Sequence, residues 1–169
     1  MNQNQSALYN FVSETRFFNK FTDEEKRKIF EKQMNFKRFE KKGTIICSEG
    51  QVGDSMYVIL QGSLIVAKSY TEQKDSLSKK FSIVGKLKKG DVFGEISLIK
   101  NQKRTASVIT ESTPVICLEV TRDFISGFNI IIQKKFDEEI ISLLVDRIIE
   151  SNNKYAKLNN LYQALLKDQ

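Results

Sequence analysis

Residues 90–108, GDVFGEISLIKNQKRTASV, gather the residue types in this chain best suited to holding an anion. Gly90 and Asp91 are turn formers, Val92 and Phe93 are apolar, and Gly94 is followed at once by an acid, an apolar residue and a hydroxyl. Glycine lets the backbone come close to a ligand and take conformations closed to other residues. A short helix starting at Glu95 would aim its first free N–H groups, near Ile96 and Ser97, at whatever sits before it, and such a helix start attracts anions. Lys103 and Arg104 then open a β-type run, Thr105 to Thr110, which puts Arg104 at a strand entrance. A guanidinium grips a phosphate with two parallel hydrogen bonds, which a lysine cannot match. The stretch thus offers backbone donors and an arginine to one phosphate, and a carboxylate, Glu95, to a sugar hydroxyl. A glycine turn before a short helix is usually just a turn; its combination with Glu95 and Arg104 carries the reading.

The elements that must position these groups follow from periodicity and turn residues. Residues 1–6 are polar and expected to fray. Leu8, Phe11 and Val12 fall at helical spacing, and Phe17, Phe18 and Phe21 continue the pattern. Thr22, with Glu25 three residues later, forms a capping box for a helix from Asp23 to about Met34. Short β-rich runs begin at Phe36 and recur at Thr44, Met56, Ser63, Phe81, Ala106 and Val115, with turns at Lys41-Lys42-Gly43, Glu49-Gly50, Gly53-Asp54 and Gln61-Gly62. Strands this short, with turn signals every 8–12 residues, make a sandwich or barrel. Residues 69–80 are polar and without periodicity, and read as an extended hairpin loop. Within and beside it, Lys79-Lys80-Phe81-Ser82 resembles a basic-directed phosphorylation site, though so short a match is common by chance.

After the strands, Thr121 and Asp123 mark a helix start, Gly127 and Asn129 a joint, and a second helix runs from about Ile130 through Ile149. Ile141, Leu144, Ile148, Ser151, Tyr155, Leu158, Tyr162 and Leu165 alternate three and four apart, a heptad seam with one polar member. Two readings stay open. One is an amphipathic helix folded back on the strands, followed by a separate short helix after Ser151-Asn152-Asn153. The other is a seam for a partner or for self-pairing.

FGEISL, a short spacer and RTASV resemble the phosphate-binding cassette of cyclic nucleotide-binding domains. The EG, GD, YVI and QG succession and the helical entry FFNKFTDEEKRKIFE are similar to other parts of the same family. The resemblance implies an α+β fold: an eight-stranded antiparallel β-roll, jelly-roll-like, flanked by N-terminal and C-terminal helices. It implies an N-terminal helical segment over 1–35, a nucleotide-binding roll over 36–121 with its cassette at 90–108, and a lid helix and tail helix over 122–169. It also implies that Glu95 takes the ribose 2′-hydroxyl, that Arg104 pairs with the cyclic phosphate, and that Gly94, Ile96, Ser97 and Thr105 complete the site. Lys103 stands where many members have proline. Ile141, Leu144, Val145 and Ile148 are candidates for the lid over the base. Thr105 is the residue also found in the resembling cGMP-dependent kinases and gated channels. A hydroxyl there can bond the phosphate and the 2-amino group of a syn guanine, which leans the ligand toward cGMP over cAMP.

Composition removes other function classes. The 169 residues suit one domain, or one domain with a helical tail, and a 40% hydrophobic content supplies a core. The formal charge of +6 suits an anionic ligand, but its lysine clusters read as solvated faces rather than a nucleic-acid site. With no histidine, Ser-His or Cys-His chemistry is excluded, and with no CxxC a transition-metal site has no evident ligand set. Cys47 and Cys117 lie in apolar runs and read as buried, reduced thiols. The N-terminus lacks the apolar core of a signal peptide, and no run reaches the roughly 18 apolar residues that span a membrane.

The expectation is therefore a stand-alone regulatory module of the cytoplasm, or of a cytoskeletal or ciliary assembly. It is no enzyme, needs no cofactor, and contacts neither nucleic acid nor membrane. Binding of cGMP or cAMP would move its C-terminal helices against a protein partner. The alternative is a scaffolding protein that uses the same fold for protein contacts without nucleotide.

Overall fold

A computed structural model describes residues 3–32, 35–70 and 80–167. Eight strands form two antiparallel four-stranded sheets. β1 (Phe36–Phe39), β3 (Ser55–Gln61), β6 (Val92–Phe93) and β8 (Val115–Thr121) make the first, in the order β1-β8-β3-β6. β2 (Ile45–Cys47), β4 (Ser63–Tyr70), β5 (Lys80–Lys88) and β7 (Ser107–Thr110) make the second, in the order β2-β7-β4-β5. This is the expected roll. Residues 71–79, and with them most of the expected hairpin loop and Lys79 of the basic tetrapeptide, lie outside the described residues. β4 and β5 pair on either side of them, from Ser63↔Lys88 to Tyr70↔Lys80.

β3 is the structural axis. Its residues 55–60 are all buried, because the strand is covered on both faces. Tyr57 and Ile59 point between the sheets, toward Leu64, Phe93, Val108 and Cys117. Met56, Val58 and Leu60 point the other way, into a second core closed by helices. Both cysteines are buried with free thiols.

The helices covering that outer face come from both ends of the chain. α1 (Gln3–Glu14) begins inside the segment expected to fray and ends where Thr15 Oγ1 donates to the Phe11 carbonyl (2.6 Å). A 3₁₀ turn, Arg16–Phe18, then interrupts the helical pattern and drives Phe17 and Phe18 inward. α2 (Asp23–Glu31) starts on the expected capping box, with Thr22 N donating to Glu25 Oε2 (2.7 Å) and Glu25 N to Thr22 Oγ1 (3.3 Å). It stops three residues before Met34, which lies outside the described residues.

α4 (Arg122–Ser126) is capped by Thr121, and α5 runs unbroken from Ile130 to Lys167. The expected break at Ser151-Asn152-Asn153 does not occur. Serine and asparagine cost a helix only a few tenths of a kcal/mol each, neither glycine nor proline is present, and Lys154 pairs with Glu150 one turn back (2.7 Å). Phe136 of α5 is fully buried and rings against Phe17, Phe18, Phe21, Phe124 and Phe128 at 5.1–6.4 Å between centroids. Each such phenylalanine contributes about 1.5–3 kcal/mol by leaving water. Three ion pairs flank the cluster and set the phase of α5: Lys135–Glu25 (2.6 Å), Lys20–Glu139 (3.1 Å) and Arg16–Asp146 (3.2 Å). Among the described residues no helix is long and apolar enough to cross a membrane.

Candidate ligand-binding site

The cassette closes one side of a cavity of about 900 Å³. Residues 90–97 and 104–106 form one wall, Val66, Leu87 and Val108 of the second sheet an apolar wall, and α5 the roof. That volume lies in the range of small-molecule sites.

Local structure explains how each group is held. Gly94 takes φ +81°, open to glycine at little cost, and reverses the chain from β6 into α3 (Glu95–Lys100). The Ser97 and Leu98 amides turn back to the Gly94 carbonyl (3.2 and 3.3 Å), so Ser97 N–H is not the free donor expected of it. The amides of Glu95 and Ile96 are the ones with no acceptor among the described residues. At the other end of α3, Arg122 donates to the Leu98 carbonyl from Nε (3.0 Å) and Nη2 (2.8 Å), satisfying an orphan helix carbonyl.

Arg104 lies three residues before β7, in a loop rather than in the strand. Its main chain is pinned both ways to the 50–51 turn: Arg104 N donates to Gln51 O (2.8 Å) and Gly50 N to Arg104 O (2.8 Å). The side chain is 6% exposed. Nη1 donates to the carbonyls of Ser55 (2.6 Å) and Gly94 (3.1 Å), and Nη2 to Ser55 Oγ (3.0 Å). Its carbon sits 5.9 Å from the centre of the Tyr57 ring. These contacts orient the guanidinium without neutralising it, and no carboxylate among the described residues pairs with it. A buried charge left so is costly, and an anion in the cavity would relieve it.

Glu95 is the opposite charge in the same wall and is 1% exposed. Its Oε1 accepts from Arg147 Nη1 of α5, while Oε2 is buried with no donor. Arg147 Nη2 also donates to the Val92 carbonyl. Tyr57 supports the floor, stacking on Phe93 (5.0 Å, 16° between planes) and donating to Glu119 Oε1 (2.6 Å). Burial, with that bond to a carboxylate, pushes its phenol up to about 12.

The comparisons with known proteins agree with this geometry. The family model for the cyclic nucleotide-binding domain matches residues 37–128, just over half of the chain. The chain belongs to the cyclic nucleotide-binding domain family. It is 39% identical over 81 residues to cGMP-dependent protein kinase, isozyme 1, of Drosophila melanogaster, an alignment covering 48% of this chain and 10% of that one. The chain therefore spans about a tenth of the kinase's length. A cyclic nucleotide-binding domain from Methylobacillus flagellatus KT has the same fold, with TM-score 0.68, 24% identity, and coverage of 90% of this chain and 82% of that one. The regulatory domain of Toxoplasma gondii PKA, solved with cAMP, follows with TM-score 0.59, 23% identity, and coverage of 82% and 50%.

Within this cyclic nucleotide-binding domain, Gly94, Glu95, Ile96, Ser97, Arg104 and Thr105 all line the one cavity. Thr105 is exposed toward it. The expected lid residues are displaced. Ile141, Val145 and Ile148 are exposed and do not line the cavity, and Leu144 packs against the helical core. The roof is made instead by Glu139, Ser142, Leu143, Asp146, Arg147, Glu150 and Lys154. Phe136, Ile140, Leu143 and Arg147 share one face of α5, because anchoring by Phe136 fixes the helix phase; Ile141 and Ile148 turn away.

Sequence reading also missed four groups. Gly53 was legible only as a turn, yet a Cβ there would fall on Arg104 Nε. Ser55 and Arg147 carry no local signal, and Tyr57 entered only within the YVI run; each meets its partner through the fold alone.

Proposed function

We propose that this chain is a non-catalytic regulatory module that takes up cGMP or cAMP and passes the event to a protein partner through α5. The observation that carries this reading is a pair of buried charges on one cavity wall: Arg104, hydrogen-bonded to neutral groups and paired with no carboxylate among the described residues, and Glu95, whose Oε2 lacks a donor. A cyclic phosphate answers the first and a ribose hydroxyl the second. The phosphate would lie between Arg104 and the amides of Glu95 and Ile96, with Gly94 and Ser97 shaping the turn beneath. The base would extend between the apolar wall and Leu143. The chain's likeness to a cGMP-dependent kinase and to a PKA regulatory domain solved with cAMP supports this ligand class.

On this reading residues 36–121 bind, residues 1–35 brace α5, and residues 122–169 respond. Thr105, which lines the cavity next to Arg104 in the chain, would favour cGMP through its hydroxyl. The cytoplasm or a cytoskeletal or ciliary assembly is the setting. Calorimetric titration of the purified chain with cAMP and cGMP tests the proposal: saturable one-to-one binding supports it, and no heat with either ligand at millimolar concentration rejects it. A scaffolding role without nucleotide is the second reading. It is favoured by the wholly exposed residues 151–166, whose Tyr155, Leu158, Tyr162 and Leu165 suit contact with a helix.

A further inference from the structure

We infer that Glu119 is a positioning residue for Arg104, acting through Tyr57 and Ser55. Its bearing on ligand affinity rests on the proposed nucleotide binding. Glu119 lies on β8 two residues beyond Cys117, in the row of side chains that faces between the sheets, where strand alternation calls for an apolar residue. Both oxygens of its carboxylate are taken. Oε1 accepts from the Tyr57 hydroxyl (2.6 Å), and Oε2 pairs with Lys37 of β1 (3.2 Å). Tyr57 stands directly opposite Glu119 in the β3–β8 register. Asn35 Nδ2 donates to the Glu119 main-chain carbonyl (3.2 Å), so the strand is held as well as the side chain.

The order of donors gives this acid its reach. A tyrosine hydroxyl carries one proton, and that of Tyr57 goes to an acceptor-only carboxylate. The Tyr57 oxygen can then only accept, and Ser55 Oγ donates to it across a long 3.5 Å. The Ser55 oxygen is thereby left to accept, and it takes Arg104 Nη2 (3.0 Å). The same tyrosine ring lies 5.9 Å from the guanidinium carbon and stacks on Phe93. Without the carboxylate, the Tyr57 proton would turn to Ser55 Oγ and the Ser55 proton toward the guanidinium, donor against donor. Glu119 thus sets the order of protons that holds Arg104 in place, without pairing with the arginine itself.

The test uses the full chain, Glu119→Met, Tyr57→Phe and the double variant, with two readouts. The first needs no ligand: nitrogen NMR of the arginine side chains, with the Arg104 signals assigned by their loss in Arg104→Ala. In the parent, Nη1 and Nη2 sit on separate acceptors and should give two resolved resonances. In Glu119→Met, and in Tyr57→Phe, which removes only a hydroxyl and keeps the ring, the two should merge as the guanidinium turns. The second readout is affinity for cGMP and cAMP by calorimetry. Glu119→Met should bind both about five- to tenfold more weakly, the size of one hydrogen bond. In a Tyr57→Phe background the same change should add nothing, because the link to Ser55 is already cut. Arg104 resonances unmoved in Tyr57→Phe and in any folded Glu119→Met would overturn the inference, leaving Glu119 only its pairing with Lys37. An equal further loss of affinity in the double variant would also overturn it, since Glu119 would then act by another route. A parent that binds neither nucleotide would overturn the functional proposal, and the Arg104 resonances would still decide this inference on their own.

Discussion

Gly53 lies against the guanidinium of Arg104 so closely that a Cβ at residue 53 would overlap Nε. Gly94 stands on another side of the same group, where a Cβ would overlap Nη1 and meet the Ser55 carbonyl at 2.9 Å. Two glycines thus leave the volume that the arginine fills. Gly53 has an ordinary backbone conformation, so the effect of a side chain there is displacement of Arg104 and not strain. Gly53→Ala is expected to weaken cyclic nucleotide binding by at least tenfold while the apo protein stays folded. In an Arg104→Ala background the same change should be nearly neutral, because the clash is gone. Additive losses in the double variant would place the effect elsewhere.

Arg104→Ala itself should weaken binding by roughly 2–5 kcal/mol, the range for removing one member of a buried hydrogen-bonded charge pair. The apo melting temperature should hold or rise, since a buried cation without a counter-ion is lost. Calorimetry and a thermal melt on the same sample check both halves; unchanged affinity would contradict the phosphate role.

Thr105 provides a prediction about selectivity. Its hydroxyl can gain one hydrogen bond with guanine that adenine cannot offer, about 0.5–1.5 kcal/mol, or at most roughly tenfold in affinity. Thr105→Ala should lose cGMP affinity relative to cAMP by that factor. Competition of the two ligands reads the ratio directly, and an unmoved ratio means Thr105 does not contact the base.

The exposed end of α5 should be dispensable for folding. Residues 151–166 are all exposed, and the helical core is complete by Ile140, with Leu143 and Leu144 packed beside it. A chain ending at Glu150 should melt within about 3 °C of the parent. A large drop would mean that the tail belongs to the core. Light scattering of the two forms then separates self-pairing, which makes only the longer one a dimer, from a face kept for another protein.

Alkaline pH should destabilise the fold through two buried acids. Burial pushes the Cys117 thiol from 9.0 up to about 12, and the Tyr57 phenol rises from 10.0 to about 12. As pH climbs past 9 the unfolded chain loses these protons and the native one keeps them, so stability present below 9 is lost progressively toward 12. For Cys117 the slope approaches about 1.4 kcal/mol per pH unit. Urea midpoints at pH 8, 9.5 and 11 should fall, and fall less steeply in Cys117→Val. Parallel curves for the two proteins would remove the thiol from the account.

How much of this was written in the residues themselves depends on how far apart the partners lie. Strands alternating with glycine turns, the Thr22–Glu25 capping box and the short helix at Glu95 are set within a few residues, by side-chain period and backbone freedom, and each could be read from the sequence. So could the cassette, whose Gly94, Glu95 and Arg104 lie within eleven positions. What the tertiary structure decided is the company these residues keep. Glu95 meets Arg147 across 52 residues, and Arg104 meets Ser55 across 49. Leu143 replaces Ile141 and Ile148 over the cavity because the rotation of α5 is set by Phe136 in its aromatic cluster and by ion pairs to the N-terminal helices. A heptad pattern records which residues share a face of a helix. The direction that face takes depends on packing against distant elements, and only the folded chain fixes it.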